Sequence, residues 1–136
     1  MSRILIADDE EGFRFLLCRI LTPLGHEVHE VGDGDAALAA LRTFPANIAL
    51  VDLFMPGREG IETIREIRQL HPGVRIVAMS GGSPKTGMSF LHVAAKLGAH
   101  RTLSKPFTAE ELLAALKGLE AEPVREGADS VVEKPQ

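Results

Sequence analysis

The feature that most constrains this chain is an alternation. Short apolar runs and helical apolar stripes take turns five times along 136 residues. Arg3–Ala7 (RILIA) is too short for a helix and runs into Asp8-Asp9-Glu10-Glu11, so it reads as a strand. Phe13, Leu16, Leu17, Ile20, Leu21 and Leu24 then recur at helical spacing, with Pro23 and Gly25 as stop signals. His26–Val31 (HEVHEV) alternates only in part, which suits an edge strand. Asp33-Gly34 opens a second helix with Ala37, Leu38, Leu41 and Phe44 facing inward. Asn47–Val51 is a third, buried strand, with no room for a helix before Met55-Pro56-Gly57.

The second half repeats the pattern. After Gly60, Ile61, Ile64, Ile67 and Leu70 share one helix face, with Arg58, Glu62, Arg65, Glu66 and Arg68 outside, and His71-Pro72-Gly73 ends the helix. Val74–Met79 is the fourth strand, and Ser80–Gly87 is a loop by composition. Met88–Leu97 is expected as the fourth helix, with Leu91, Ala94 and Ala95 inward and Gly98 as its stop; Arg101–Leu103 is a short fifth strand. Thr108 and Glu111 have the spacing of a capping box, and Phe107 and Leu112 that of a hydrophobic staple, so a fifth helix starts there and continues through Leu113, Leu116 and Leu119.

Five strands alternating with five helices imply an α/β fold: a doubly wound parallel five-stranded sheet with helices on both faces. Right-handed crossovers leave few topologies, and the expected strand order is 2-1-3-4-5. One domain should cover residues 1–119. Residues 120–136 lack periodicity and read as a polar, flexible tail.

Composition removes several function classes. The formal net charge is -4 and no basic run occurs, which argues against direct nucleic-acid binding. The single cysteine, Cys18, excludes an internal disulfide or a cysteine metal cluster, and its apolar neighbours suit a buried small hydrophobe. No apolar run is long enough for a signal peptide or a membrane span, so a cytoplasmic protein without membrane contact is expected. The five histidines are scattered and form no site; His26 and His29, three apart on a strand, should face opposite sides.

The chemistry gathers at one sheet edge. Asp52 follows the buried third strand, and ligands of open α/β sheets sit beyond the carboxyl ends of the strands. Asp8 and Asp9 follow the first strand, its expected neighbour. Three carboxylates this close repel unless a counter-charge joins them, and an oxygen-only ligand set suits Mg²⁺. Ser80 ends the fourth strand and Lys105 follows the fifth. This set suits phosphoryl chemistry. Asp52 can act as a nucleophile forming an acyl phosphate, Mg²⁺ and Lys105 can offset charge on the transferred group, and Ser80 can hydrogen-bond one of its oxygens.

Four segments in order, ILIADDEE, ALVDLFMPGREG, VRIVAMSGG and GAHRTLSKPF, closely resemble a response-regulator receiver domain of two-component signalling, over roughly residues 3 to 119. The family has a flavodoxin-like fold with the same strand order, so that expectation is not independent of the resemblance. The resemblance implies that Asp52 is the phosphoacceptor. It implies that Asp9 binds Mg²⁺ directly, Asp8 partly through water, and the backbone carbonyl of Phe54 as a third ligand. Lys105 would pair with the acceptor or the phosphate, Ser80 would be the switch hydroxyl, and the Lys105–Pro106 peptide would be cis. The donor would be a histidine kinase or a histidine phosphotransfer protein, with small phosphodonors also serving.

Three features depart from the family pattern. Thr102 stands on the fifth strand where the family usually has Tyr or Phe. The Ser80-to-Lys105 span is longer than usual, with the excess in the Gly-rich loop. Phe54 puts a bulky apolar group two positions after the acceptor. The leading expectation is a phosphorylation-controlled switch, not a turnover enzyme, that catalyses its own modification. With no second domain in this sequence, it would signal to an output protein through the face of helix four, strand five and helix five; homodimerisation on activation stays open. A receiver-like interaction module that is never phosphorylated is the alternative. A flavin carrier is disfavoured by the acidic loop after strand one, and an aspartyl phosphatase by the lack of a cap domain.

Overall fold

The computed structural model describes residues 1–55, 60–81 and 92–121. Five strands, β1 (Arg3–Ala7), β2 (Glu27–Val31), β3 (Ile48–Asp52), β4 (Arg75–Ser80) and β5 (Arg101–Ser104), form one sheet in the order β2-β1-β3-β4-β5. Every neighbouring pair is parallel, with Ala7 level with Val51, and Asp52 with Met79. The helices are α1 (Glu11–Leu21), α2 (Gly34–Leu41), α3 (Gly60–Leu70), α4, whose described part is residues 92–97, and α5 (Ala109–Ala121).

The period-two alternation of the strands feeds two cores. Leu5, Ala7, Ala49, Val51, Ile76 and Ala78 point to one face, where Ala37 and Leu41 of α2, Ile64 and Ile67 of α3, and Ala94 of α4 cover them. Ile4, Ile6, Ile48, Leu50, Val77 and Met79 point to the other, covered by Leu17 and Leu21 of α1 and Leu112, Leu116 and Leu119 of α5. The central strands β1, β3 and β4 are therefore apolar on both faces, as a parallel sheet requires. Edge strand β2 stays half exposed.

Local signals set the joints. The Asp33 side chain caps α2 by accepting the Ala36 amide at 2.7 Å. Thr108 Oγ1 accepts the Glu111 amide at 3.0 Å while Glu111 accepts the Thr108 amide at 2.8 Å, which completes the capping box of α5. Gly98 ends α4 at φ +125°, with its amide bonded to Ala95 O and the Ala99 amide to Ala94 O, a Schellman pattern.

The structure corrects several boundaries and faces. β3 includes Asp52 and β4 includes Ser80, each one residue beyond the expected end, while Val74 lies outside β4. His26 precedes β2, where its Nδ1 accepts the Ser2 amide at 3.0 Å, so the opposite-face argument for His26 and His29 does not apply. Leu16, Leu24 and Leu70 are exposed, not inward. Leu17 and Leu21 carry the α1 stripe, Leu24 lies in the 3-10 turn Thr22–Leu24 beyond it, and Leu70 is the last residue of α3. Ala95 is exposed, and α4 faces the core through Ala94. Cys18 is half-buried, and its thiol donates to Glu30 at 3.4 Å. Burial first, then Glu30, push that thiol up to about 11, so it stays protonated at neutral pH. Residues 120 and 121, expected in the tail, belong to α5, while residues 82–87 of the expected Gly-rich loop, Arg58, residues 88–91 of the expected fourth helix and the tail beyond residue 121 lie outside the described residues.

Candidate functional site

The carboxyl ends of β1 and β3 bring the three predicted carboxylates together. Asp8, Asp9 and Asp52 each offer an oxygen, all within 4.8 Å of one another. Parity explains the meeting: Asp8 continues the Ile4–Ile6 row and Asp52 the Ile48–Leu50 row, both on the α1/α5 side of the sheet. Asp8 is 0% exposed and Asp52 5%, whereas Asp9 is exposed.

Each buried carboxylate is anchored. Asp8 donates its amide to Val31 O at 3.1 Å, and its Oδ1 accepts the Glu10 amide at 2.9 Å. Arg14 Nη1 donates to the Asp8 carbonyl at 2.6 Å while its Nε donates to Glu30 at 2.9 Å. Behind Asp52, a Cβ on Gly60 would lie 2.2 Å from the Asp52 carbonyl oxygen and 2.5 Å from Leu53 Cα. Only a glycine lets α3 start this close, and its amide bonds Leu53 O at 3.1 Å.

Lys105 supplies the countercharge. It follows β5, whose register is extended by the Lys105 amide donating to Ser80 O at 2.7 Å. Its Nζ lies 2.7 Å from Asp8 Oδ2 and 3.7 Å from Asp52 Oδ1. The nearer partner is thus Asp8, where the sequence reading paired the lysine with the acceptor position. The Lys105–Pro106 peptide is cis. Ser80 is 2% exposed, with Oγ donating to Gly81 O at 3.2 Å. Thr102 is exposed on β5, level with Ala78. The Phe54 amide hydrogen-bonds the Asp52 carboxylate, and the residue is 43% exposed.

Burial dominates the electrostatics of Asp52. Desolvation raises its pKa to about 6, Lys105 opposes that shift, Asp8 and Asp9 add to it, and the Phe54 amide opposes it. Among the described residues, three carboxylates meet one ammonium, which leaves the cluster negative. The donors are all oxygen, two of them nearly dry, which fits a hard divalent cation of the Mg²⁺ kind and not a soft metal.

Two contributors escaped the sequence reading. Arg14 received no role, although a cation one turn after an acidic pair is a signal that could have found it. Phe13 was read only as core, yet Lys105 Nζ stands 4.2 Å from the centroid of its ring.

Residues 4–117 match the family model described as the response regulator receiver domain. The chain belongs to that family. RegX3 of Mycolicibacterium smegmatis, a sensory transduction protein, is 33% identical over 132 residues, covering 96% of this chain and 54% of that protein. MtrA of Mycobacterium leprae, a DNA-binding response regulator, is 33% identical over 116 residues, covering 85% and 50%. The chain spans about half the length of each of these two relatives. The crystal structure of the receiver domain of NtrX from Brucella abortus superposes with a TM-score of 0.79 at 32% identity, covering 88% of this chain and 99% of that one. Receiver domains belong to two-component signalling, and magnesium binding is typical of them. Among the described residues no helix is long and apolar enough to cross a membrane.

Proposed function

We propose that this receiver domain accepts a phosphoryl group on Asp52 from a phosphohistidine donor and passes the signal to a partner protein by a change of conformation. The observation that carries this reading is the carboxylate cluster at one sheet edge, met by the Lys105 ammonium. In this reading an Asp52 carboxylate oxygen attacks phosphorus, the P–N bond to the donor imidazole breaks, and the imidazole leaves with its electron pair and takes up a proton. The product is an acyl phosphate. Asp8, Asp9, Asp52 and the Phe54 carbonyl would hold Mg²⁺, which when bound supplies charge neutralisation for the transferred oxygens. Lys105 adds a second positive charge within reach of Asp52, and Ser80 offers a hydroxyl to a phosphoryl oxygen.

Two features support Asp52 over its neighbours as nucleophile. Asp8 is engaged by Lys105 and the Glu10 amide. Asp9 is exposed to water, which would compete with a phosphoryl donor. Asp52 is nearly dry like Asp8, but Lys105 holds it more loosely, at 3.7 Å against 2.7 Å for Asp8. The histidine kinase or phosphotransfer protein that donates, and the output protein that reads the α4–β5–α5 face, belong to the same proposal. So do autocatalysed dephosphorylation and a cytoplasmic location. The test is chemical: after treatment with Mg²⁺ and acetyl phosphate, the modified protein should lose its phosphoryl group to hydroxylamine, as acyl phosphates do. A hydroxylamine-stable adduct would point to a serine or threonine ester instead.

A further inference from the structure

Lys105 reaches the site on a long flexible stem, and holding its head still costs side-chain entropy. Two of its contacts, Asp8 and Asp52, are carboxylates whose charge balance changes whenever a cation or a phosphoryl group arrives. The third is different in kind. Its Nζ lies over the Phe13 ring, 4.2 Å from the centroid, with the side chain only 14% exposed. A ring face attracts an ammonium through its quadrupole, more strongly where water is excluded, and carries no formal charge of its own.

The ring is itself held. Phe107 meets Phe13 edge to face, with centroids 5.6 Å apart and planes at 84°. Phe13 lies on the first turn of α1, just after the acidic pair, and Phe107 lies two residues after Lys105. Both rings pack against the α1/α5 core. The aromatic pair therefore ties the segment bearing Asp8 and Asp9 to the segment bearing the lysine.

We infer that Phe13 is a positioning residue for Lys105: its ring is a charge-neutral rest, braced by Phe107, that keeps the ammonium beside Asp52 while the carboxylates change partners. This inference rests on the proposed phosphoacceptor role. It assigns Phe13 a function that its place in the apolar stripe does not predict, since leucine would fill the same core position.

The test compares Phe13→Leu, which keeps apolar bulk, with Phe13→Tyr, which keeps the ring face. Both are made in the parent and in a Lys105→Met background, and acetyl phosphate with Mg²⁺ is the donor. Phe13→Leu should slow phosphorylation of Asp52 roughly threefold to tenfold, Phe13→Tyr should restore it to within about twofold, and Phe13→Leu should have no further effect once Lys105 is gone. An undiminished rate in Phe13→Leu, or equal slowing with and without Lys105, overturns the inference. If the parent itself takes no phosphoryl group on Asp52, the functional reading fails separately. The positioning claim is then decided by NMR of the Lys105 ε-methylene in ¹³C-labelled protein. Ring-shifted, restricted resonances that become mobile in Phe13→Leu and not in Phe13→Tyr sustain it, and unchanged mobility overturns it.

Discussion

Lys105 Nζ stands 2.7 Å from Oδ2 of the fully buried Asp8. That pair is the main internal answer to a cluster of like charges. Removing the lysine leaves Asp8 and Asp52 desolvated and uncompensated. Lys105→Met should therefore destabilise the metal-free protein by about 3 kcal/mol, the usual cost of breaking a buried pair from one side. Urea unfolding in EDTA checks this. A loss below that of an ordinary surface substitution would mean the cluster relaxes into water.

Asp52 gives stability a pH dependence of unusual sign. Its pKa is about 6 in the folded chain against 3.8 unfolded, so between those values the folded state holds more proton. Stability without divalent cations should fall as pH rises from about 4 to about 6, then stay level, with roughly 3 kcal/mol attributable to this group. Asp52→Asn should cancel that component and be the more stable protein at pH 8. Parent and variant unfolding curves of equal slope across the window would contradict the assignment.

A divalent cation should replace this penalty with a gain. If Mg²⁺ is held by the assembled cluster and not by the unfolded chain, the unfolding temperature should climb with Mg²⁺ concentration, by about 1.4 kcal/mol of stability per tenfold excess over the dissociation constant. Asp9→Asn should weaken that response without lowering metal-free stability, because Asp9 is exposed. A response to Mg²⁺ that survives loss of Asp9 would place the cation elsewhere.

Gly60→Ala should damage the site through the backbone. The added Cβ would lie 2.2 Å from the Asp52 carbonyl oxygen, and neither β3 nor α3 has a flexible side chain there to give way. A cost of about 3 kcal/mol is expected, at the upper end for overpacking. Thermal unfolding measures it, and a near-neutral result would show that α3 can start further from the sheet.

Phe54 is exposed two residues after Asp52, with its amide tied to the Asp52 carboxylate. An apolar side chain there should hinder water from reaching an acyl phosphate, so Phe54→Asn should speed dephosphorylation. The decay of phosphorylated protein after donor removal checks this, and an unchanged rate would end the idea.

Much of this was legible from residue order. The double parity of Ile4–Ala7, Ile48–Val51 and Ile76–Met79 announces a sheet covered on both faces. Thr108 with Glu111 announces the last helix start. The acidic pair, Asp52 and Lys105 fall at matching strand ends, so their meeting follows from the topology alone. What was not legible depends on side-chain reach. The preference of Lys105 for Asp8, the grip of Arg14 on the Asp8 carbonyl and the ring of Phe13 beneath an ammonium are set by rotamers, which periodicity does not report. Leu16, Leu24 and Leu70 fit an apolar stripe yet lie at its margin or at a helix end, where burial runs out.

Intact mass tests most directly whether Asp52 is the acceptor. Parent and Asp52→Asn would be incubated side by side with Mg²⁺ and acetyl phosphate and weighed. A gain of one phosphoryl group in the parent and none in the variant is the predicted result. A gain that persists in Asp52→Asn would contradict it and move the acceptor to another residue.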